Sequence, residues 1–154
     1  MKKIVYIDMD NVLVDFKTGI DKLEKQQLID YEDNLDEVPG IFSLMKPMPH
    51  ALESVTKLAG HFDVYVLSTS PWKNPSAWTD KIKWIQYYFG EDNNSVFYKR
   101  LILSHHKNLN KGDYLIDDRD KNGADKFEGE LIRFGSDRFP NWHVVSEYLL
   151  GTIK

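Results

Sequence analysis

Ile4-Val5-Tyr6-Ile7-Asp8-Met9-Asp10-Asn11-Val12 is the stretch from which the rest of the chain is read. An apolar run enters two carboxylates one residue apart. Strand side chains alternate faces, so a continuing strand aims Asp8 and Asp10 the same way. Two like charges held that close repel by roughly several kcal/mol unless a cation or a proton intervenes. A buried strand ending in such a pair is expected to use it, to hold a divalent metal or to divide acid and nucleophile roles. The plainer reading of the same residues is a turn with an N-cap.

Four more segments read as buried strands: Phe62 to Leu67, Leu101 to Leu103, Tyr114 to Ile116 and Leu131 to Phe134. Helical patterns lie between them. Ala51 to Ala59 puts apolar residues at 51, 52, 55, 58 and 59 on one face. A helix over 77–89 follows the start signal Asn74-Pro75 and stops at Gly90. Trp142 to Leu150 reads as a C-terminal helix. Strands alternating with helices predict an α/β fold, a Rossmann-like parallel sheet with helices on both faces. Ligands of such sheets bind outside the carboxyl ends of the strands.

Residues 16–48 break that rhythm. Phe16, Ile20, Leu23 and Gln27-Leu28 read as one amphipathic helix, and an acidic stretch from Tyr31 to Glu37 follows. Pro39-Gly40, Pro47 and Pro49 punctuate the return. The expected organisation is a core domain of residues 1–15 and 49–154, with 16–48 as a small helical cap over the strand ends. Inserts of this length in compact domains tend to be functional or disordered. The acidic group Asp30, Glu32, Asp33, Asp36 and Glu37 lacks the glycine and spacing of a calcium loop and reads as a solvated face.

The other strands also end in polar residues. They run into Ser68-Thr69-Ser70-Pro71, into Asp117-Asp118-Arg119 and into Ser104-His105-His106-Lys107. Four carboxylates, a hydroxyl cluster and a lysine on one rim meet the needs of phosphoryl transfer. Mg²⁺ takes hard oxygen ligands, commonly one or two carboxylates with substrate phosphate and water. Lysine and hydroxyl donors hold the remaining phosphoryl oxygens. Uncatalysed phosphate-monoester hydrolysis is among the slowest reactions known, which warrants such concentrated electrostatics. His105-His106 point apart on an extended chain and share no ligand spacing with His50, His61 or His143, so they read as loop residues.

On these residues the chain resembles the haloacid dehalogenase superfamily of aspartate-nucleophile phosphatases. Asp8-Met9-Asp10 matches its Asp-x-Asp motif, Val66-Leu67-Ser68-Thr69 its strand ending in Ser or Thr, Lys107 its lysine, and Asp117-Asp118 its late acidic pair. The runs from Asp8 to Phe16, Thr69-Ser70-Pro71 and Leu115 to Arg119 are similar to the 5'(3')-deoxyribonucleotidase family. That resemblance implies a Mg²⁺-dependent phosphomonoesterase acting on nucleoside monophosphates. Asp8 would be the nucleophile and Asp10 the general acid and base. The metal would be held by Asp8, the Asp10 carbonyl and the Asp117-Asp118 pair. Lys107 would neutralise charge, and Thr69 would donate to a phosphoryl oxygen. Phe16 and Phe42 would form an aromatic base pocket, with Thr69, Ser70 and Lys73 lining the phosphate and sugar side. Asn11 stands where many members have Gly, and the insert is shorter than the mammalian lid.

Composition narrows the alternatives. The chain has 154 residues, 42% hydrophobic and 29% charged, which fits one soluble domain with its own core. A net charge of -4 argues against an electrostatic nucleic-acid partner. With no cysteine there is no disulfide framework, zinc-thiolate site or cysteine nucleophile. No apolar stretch approaches the ~20 residues that span a bilayer. The start lacks a signal-peptide pattern, so the expected location is the cytoplasm. Rival readings are a phosphatase for another small phosphomonoester, a phospho-receiver signalling domain and a catalytically silent binding module. Receivers carry their phosphorylated aspartate on a middle strand, which this order of motifs disfavours.

Overall fold

The computed structural model describes residues 1–153. In chain order the elements are β1 (Ile4–Ile7), β2 (Val14–Asp15), α1 (Phe16–Ile20), α2 (Lys25–Asp30), β3 (Lys46–Pro47), α3 (Ala51–Ala59), β4 (Asp63–Ser68), α4 (Pro75–Phe89), β5 (Leu101–Leu103), β6 (Tyr114–Asp117), β7 (Glu130–Arg133) and α5 (Trp142–Gly151). Five strands form one sheet in the order β5-β4-β1-β6-β7. Every pairing is parallel, and β1 lies centrally, with Val5 opposite both Val64 and Tyr114. This is the expected α/β architecture. β1 accordingly delivers its carboxyl end to the middle of the rim.

The two faces of the sheet are covered unequally. Val5, Ile7, Val64, Val66, Ile116 and Ile132 point into the large core beneath α3, α4 and α5. Each such side chain contributes on the order of 1.5–3 kcal/mol by leaving water. The alternate residues Tyr6, Leu67 and Leu115 form a smaller cluster with Ala124 and Phe127, and with the partly buried Ile4, Tyr65, Ile102 and Leu131, under the short 3-10 helix Ala124–Lys126 rather than a long helix. Tyr6 sits edge-on to Phe127 at 5.9 Å.

The local signals act as expected at α4. Pro75 opens it, and Gly90 ends it at φ +99°, a conformation glycine adopts freely. Asn74 does not cap the helix with its side chain. Its Nδ2 donates to the carbonyls of Asp36 and Val38, both at 3.0 Å, and so ties residues 16–48 to α4.

Those residues differ from the single helix expected. Two short helices, α1 and α2, flank a turn at 21–24. The cause is packing. A Cβ on Gly19 would meet Met45 Cγ at 2.8 Å, so α1 lies tight against the returning chain and turns away after Ile20. A fresh start follows, with Gln27 Oε1 accepting the Glu24 N–H at 3.0 Å. The antiparallel β2–β3 pair closes the base of the excursion. Val38, Ile41, Phe42 and Met45 then join the main core. No helix among the described residues is long and apolar enough to cross a membrane.

Candidate active site

β1 ends at Ile7, yet the Asp8 N–H still donates to the Ile116 carbonyl at 2.9 Å. Asp8 therefore leaves the sheet beside β6, and it is only 5% exposed. The chain then turns instead of continuing extended. The Met9 carbonyl accepts the N–H groups of Val12, Leu13 and Val14 at 3.1, 2.9 and 2.9 Å. Asn11 sits at φ +60°, a left-handed conformation that Asn tolerates better than most residues. That is the demand a glycine would otherwise meet. Asn11 Oδ1 also accepts the Phe16 N–H at 3.3 Å. Trp142, fully buried, donates from Nε1 to the Val12 carbonyl at 2.7 Å and fixes the turn from below. Asp10 thus reaches the rim through a pinned turn, not through strand alternation.

Lys107 and the acidic pair meet Asp8 from the other side. Lys107 Nζ lies 3.1 Å from Asp8 Oδ1 and donates to Asp117 Oδ2 at 2.5 Å. All three side chains are nearly buried, at 4%, 7% and 3% exposure. Asp117 Oδ1 accepts the Arg119 N–H at 3.0 Å, so both of its oxygens are engaged. One oxygen each from Asp8, Asp117 and Asp118 lies within 4.8 Å of the others. This all-oxygen, anionic set fits a hard divalent cation such as Mg²⁺.

One lysine cannot compensate three carboxylates. Burial first, then the Asp8 charge, pushes the Asp117 carboxyl up to about 7, against the opposing pull of Lys107. The same two causes lift Asp118 to about 6. Lys107 moves up as well, because Asp8 and Asp117 together outweigh its own desolvation. The lysine and one of the acids therefore both hold protons tightly, which is the expected state of an anionic cluster before a cation joins it.

A second buried lysine joins the site. Lys81, on α4, has no exposed surface. Its Nζ donates to Ser68 Oγ at 2.9 Å and to the Thr69 carbonyl at 2.7 Å, and lies 3.5 Å from Asp10 Oδ1. It also stands 4.6 Å over the Phe42 ring. Asp10 Oδ1 is buried without a hydrogen-bond partner among the described residues, although its side chain is 25% exposed. Burial raises the Asp10 pKa, and Asp8 adds to the rise against Lys81. The sequence did carry a signal for Lys81. With Ala77, Trp84 and Ile85 it completes the buried stripe of α4, a lysine at a core position.

The remaining expected site residues divide. The Thr69 hydroxyl donates to the Ser104 carbonyl at 2.7 Å, so donation to a phosphoryl oxygen requires this bond to be exchanged. Ser70 is fully buried, and its hydroxyl has no partner among the described residues. Lys73 is exposed, and Lys81 is the second lysine at the site. Phe16 and Phe42 meet edge to face at 5.8 Å. Only Phe16 lines the cavity beside Asp10 and Asp118, while Phe42 is 1% exposed beneath Lys81 and forms core instead of a base platform. The cavity holds about 320 Å³. Glu32, Asp33 and Asp36 form part of its wall, so the acidic stretch faces the site as well as solvent. The aromatic group after β4 is likewise mixed: Trp84 is buried, whereas Trp72 and Tyr87 are 79% and 81% exposed.

The family model for 5' nucleotidase, deoxy (pyrimidine), cytosolic type C protein matches residues 34–149. A protein of Vibrio phage KVP40, provisionally named 5'(3')-deoxyribonucleotidase, is 57% identical over 153 residues, covering 99% of this chain and 88% of that one. A Staphylococcus aureus protein with the same provisional name is 32% identical over 185 positions, covering 99% of this chain and 98% of its own length. The human cytosolic-type 5'(3')-deoxyribonucleotidase is 30% identical over 170 positions, covering 92% of this chain and 77% of its own.

Proposed function

Because the chain belongs to the cytosolic type C 5'-nucleotidase family, whose members are phosphoric monoester hydrolases, we propose that it releases phosphate from deoxynucleoside monophosphates through an aspartyl-phosphate on Asp8. The observation that carries this reading is the four-carboxylate, two-lysine cluster at the strand ends. Few structural needs justify burying so much charge on one rim.

In the first half-reaction an Asp8 oxygen bonds to phosphorus while the bond from phosphorus to the nucleoside oxygen breaks. Asp10 gives its proton to that leaving oxygen. In the second half-reaction Asp10 takes a proton from water, the water oxygen bonds to phosphorus, and Asp8 is released. The raised pKa of Asp10 supports its starting as the acid. Lys81, 3.5 Å away, stabilises the carboxylate it becomes. Lys107 keeps Asp8 oriented and offsets phosphoryl charge. Thr69 donates to a phosphoryl oxygen on leaving Ser104, with the buried Ser70 hydroxyl, unpartnered among the described residues, next to it in the chain.

Asp8, Asp118 and the Asp10 carbonyl would hold Mg²⁺, with Asp117 outside them as the partner that orients Lys107. Asp117 already has both oxygens engaged, which favours Asp118 as the direct ligand. Bound Mg²⁺ supplies charge neutralisation that lets an anionic nucleophile approach a dianionic ester. Residues 16–48 act as the cap, and Phe16 offers the aromatic face for the base. The acidic cavity wall disfavours substrates carrying further phosphates. The human relative's cytosolic type supports a cytosolic location.

The test is phosphate release with Mg²⁺ from 5' and 3' ribo- and deoxyribonucleotides of every base, with sugar phosphates as outsiders and Asp10→Asn as blank. Faster turnover of deoxynucleotides supports the proposal. A sugar phosphate turned over faster than any nucleotide overturns the substrate class and leaves the mechanism.

A further inference from the structure

We propose that the Asn122-Gly123 turn is a positioning element for Lys107, holding its backbone so that its ammonium reaches Asp8 and Asp117. The inference rests on the catalytic reading of Lys107 given above.

The turn is built for one shape. Asn122 and Gly123 have φ of +53° and +84°, and the Ala124 N–H donates to the Lys121 carbonyl at 3.0 Å. Two successive positive φ values within an i to i+3 hydrogen bond define a type I′ turn, for which Asn-Gly is the favoured pair. Such turns usually join hairpin strands. Here no hairpin exists, since β6 and β7 on either side run parallel. The turn instead directs the Asn122 carbonyl at the Lys107 N–H, 2.8 Å away.

The approach is close enough to exclude a side chain. A Cβ on Gly123 would lie 3.0 Å from both the Lys107 and Asn108 backbone nitrogens and 2.3 Å from Asn108 Oδ1. The Asn108 amide can swing aside, but the two backbone atoms cannot. Ala124, 1% exposed, anchors the far side of the turn in the small core with Tyr6, Leu67 and Leu115. The turn therefore cannot back away without unseating that core, and displacement falls on the Lys107 segment. The Lys107 side chain is already committed to carboxylates at 3.1 and 2.5 Å. The loop that follows the Asp117-Asp118 pair thus returns to hold the lysine that pairs with it. Backbone and side chain of Lys107 are both fixed by one segment, 117–123, so the acidic pair and the lysine keep a set distance.

The experiment is a kinetic double-mutant cycle with p-nitrophenyl phosphate and Mg²⁺, using Gly123→Ala and the milder Gly123→Asn, each in the native and the Lys107→Ala backgrounds. Asn accepts positive φ, so it keeps the turn and adds only the crowding. Melting temperatures are recorded for every variant. The expected result is a fall in kcat of about tenfold or more for Gly123→Ala, a smaller fall for Gly123→Asn, and no further fall from either once Lys107 is Ala. Equal fold-losses in both backgrounds, or no loss in folded variants of the native background, overturn the inference. If Gly123→Ala does not fold, the Gly123→Asn cycle decides by the same criterion. If Lys107→Ala alone leaves turnover unchanged, the catalytic reading of Lys107 fails, an outcome distinct from failure of the turn's role.

Discussion

Two lysine–carboxylate pairs lie four residues apart in sequence and have nearly the same geometry. Lys107 donates to Asp117 at 2.5 Å, and Lys111 donates to Glu128 at 2.7 Å. The first pair is at 4% and 3% exposure and the second at 68% and 71%. Distance does not separate them, but environment does. The exposed pair is screened by water and contributes less than about 1 kcal/mol. The buried pair has lost its hydration and has two more carboxylates for neighbours, so removing one partner strands a charge at roughly 3–5 kcal/mol. On the mechanism proposed above, the buried pair serves the chemistry more than the stability of the fold.

Breaking both pairs in parallel gives the largest expected contrast. Lys107→Met should lower kcat by about a hundredfold or more, in the range of lost transition-state donors, and should lower the melting temperature. Lys111→Met should leave kcat within twofold and stability within about 0.5 kcal/mol. Steady-state rates and thermal denaturation of both variants check this. A second contrast sets Lys81 against Lys83, which are buried and exposed on the same helix. Lys81→Met should reduce turnover of a nucleotide about tenfold or more by leaving Asp10 without its cationic neighbour, and Lys83→Met should not.

The acidic cluster makes the buried pair respond to pH. Asp117 and Asp118 have folded pKa values raised to about 7 and about 6 from an unfolded value near 3.9. Between those values the folded state binds more protons than the unfolded one, so stability falls as pH rises. Metal-free protein should therefore melt at a lower temperature at pH 8 than at pH 5. Mg²⁺ should raise the melting temperature more at pH 8, where the acids are ionised. Scanning calorimetry at both pH values with and without Mg²⁺ checks the sign. The smallest effect expected is that of Asn11→Gly, within about 0.5 kcal/mol, because the left-handed turn suits either residue.

Much of this was legible in the chain because its signals are local. Helix α3 over Ala51–Ala59 and the bounds of α4 between Asn74-Pro75 and Gly90 follow from periodicity and from proline and glycine. Asp8, Lys107, Asp117 and Asp118 converge because each lies at or just beyond the carboxyl end of a strand of one parallel sheet, which the alternation of strands and helices predicts. What stayed hidden is tertiary. Lys81 is 71 residues from Asp10, and only the packing of α4 on the strand ends joins them. At the break between α1 and α2, Gly19 packs against Met45 too closely to admit a Cβ, a tertiary contact that no local pattern encodes. Phe42 has the composition of a base platform, but Lys81 lies over its ring. The Thr69 hydroxyl meets a carbonyl 35 residues away.

In the proposed mechanism Asp8 becomes covalently phosphorylated during turnover. The direct measurement is acid quench of the Mg²⁺-loaded enzyme within milliseconds of mixing with ³²P-labelled deoxynucleoside 5'-monophosphate, followed by borohydride reduction and peptide mass mapping. Label and reduction are expected at Asp8, and both are expected to be absent in Asp8→Asn. Undiminished turnover with no modification at Asp8, or modification at another carboxylate, would contradict that mechanism.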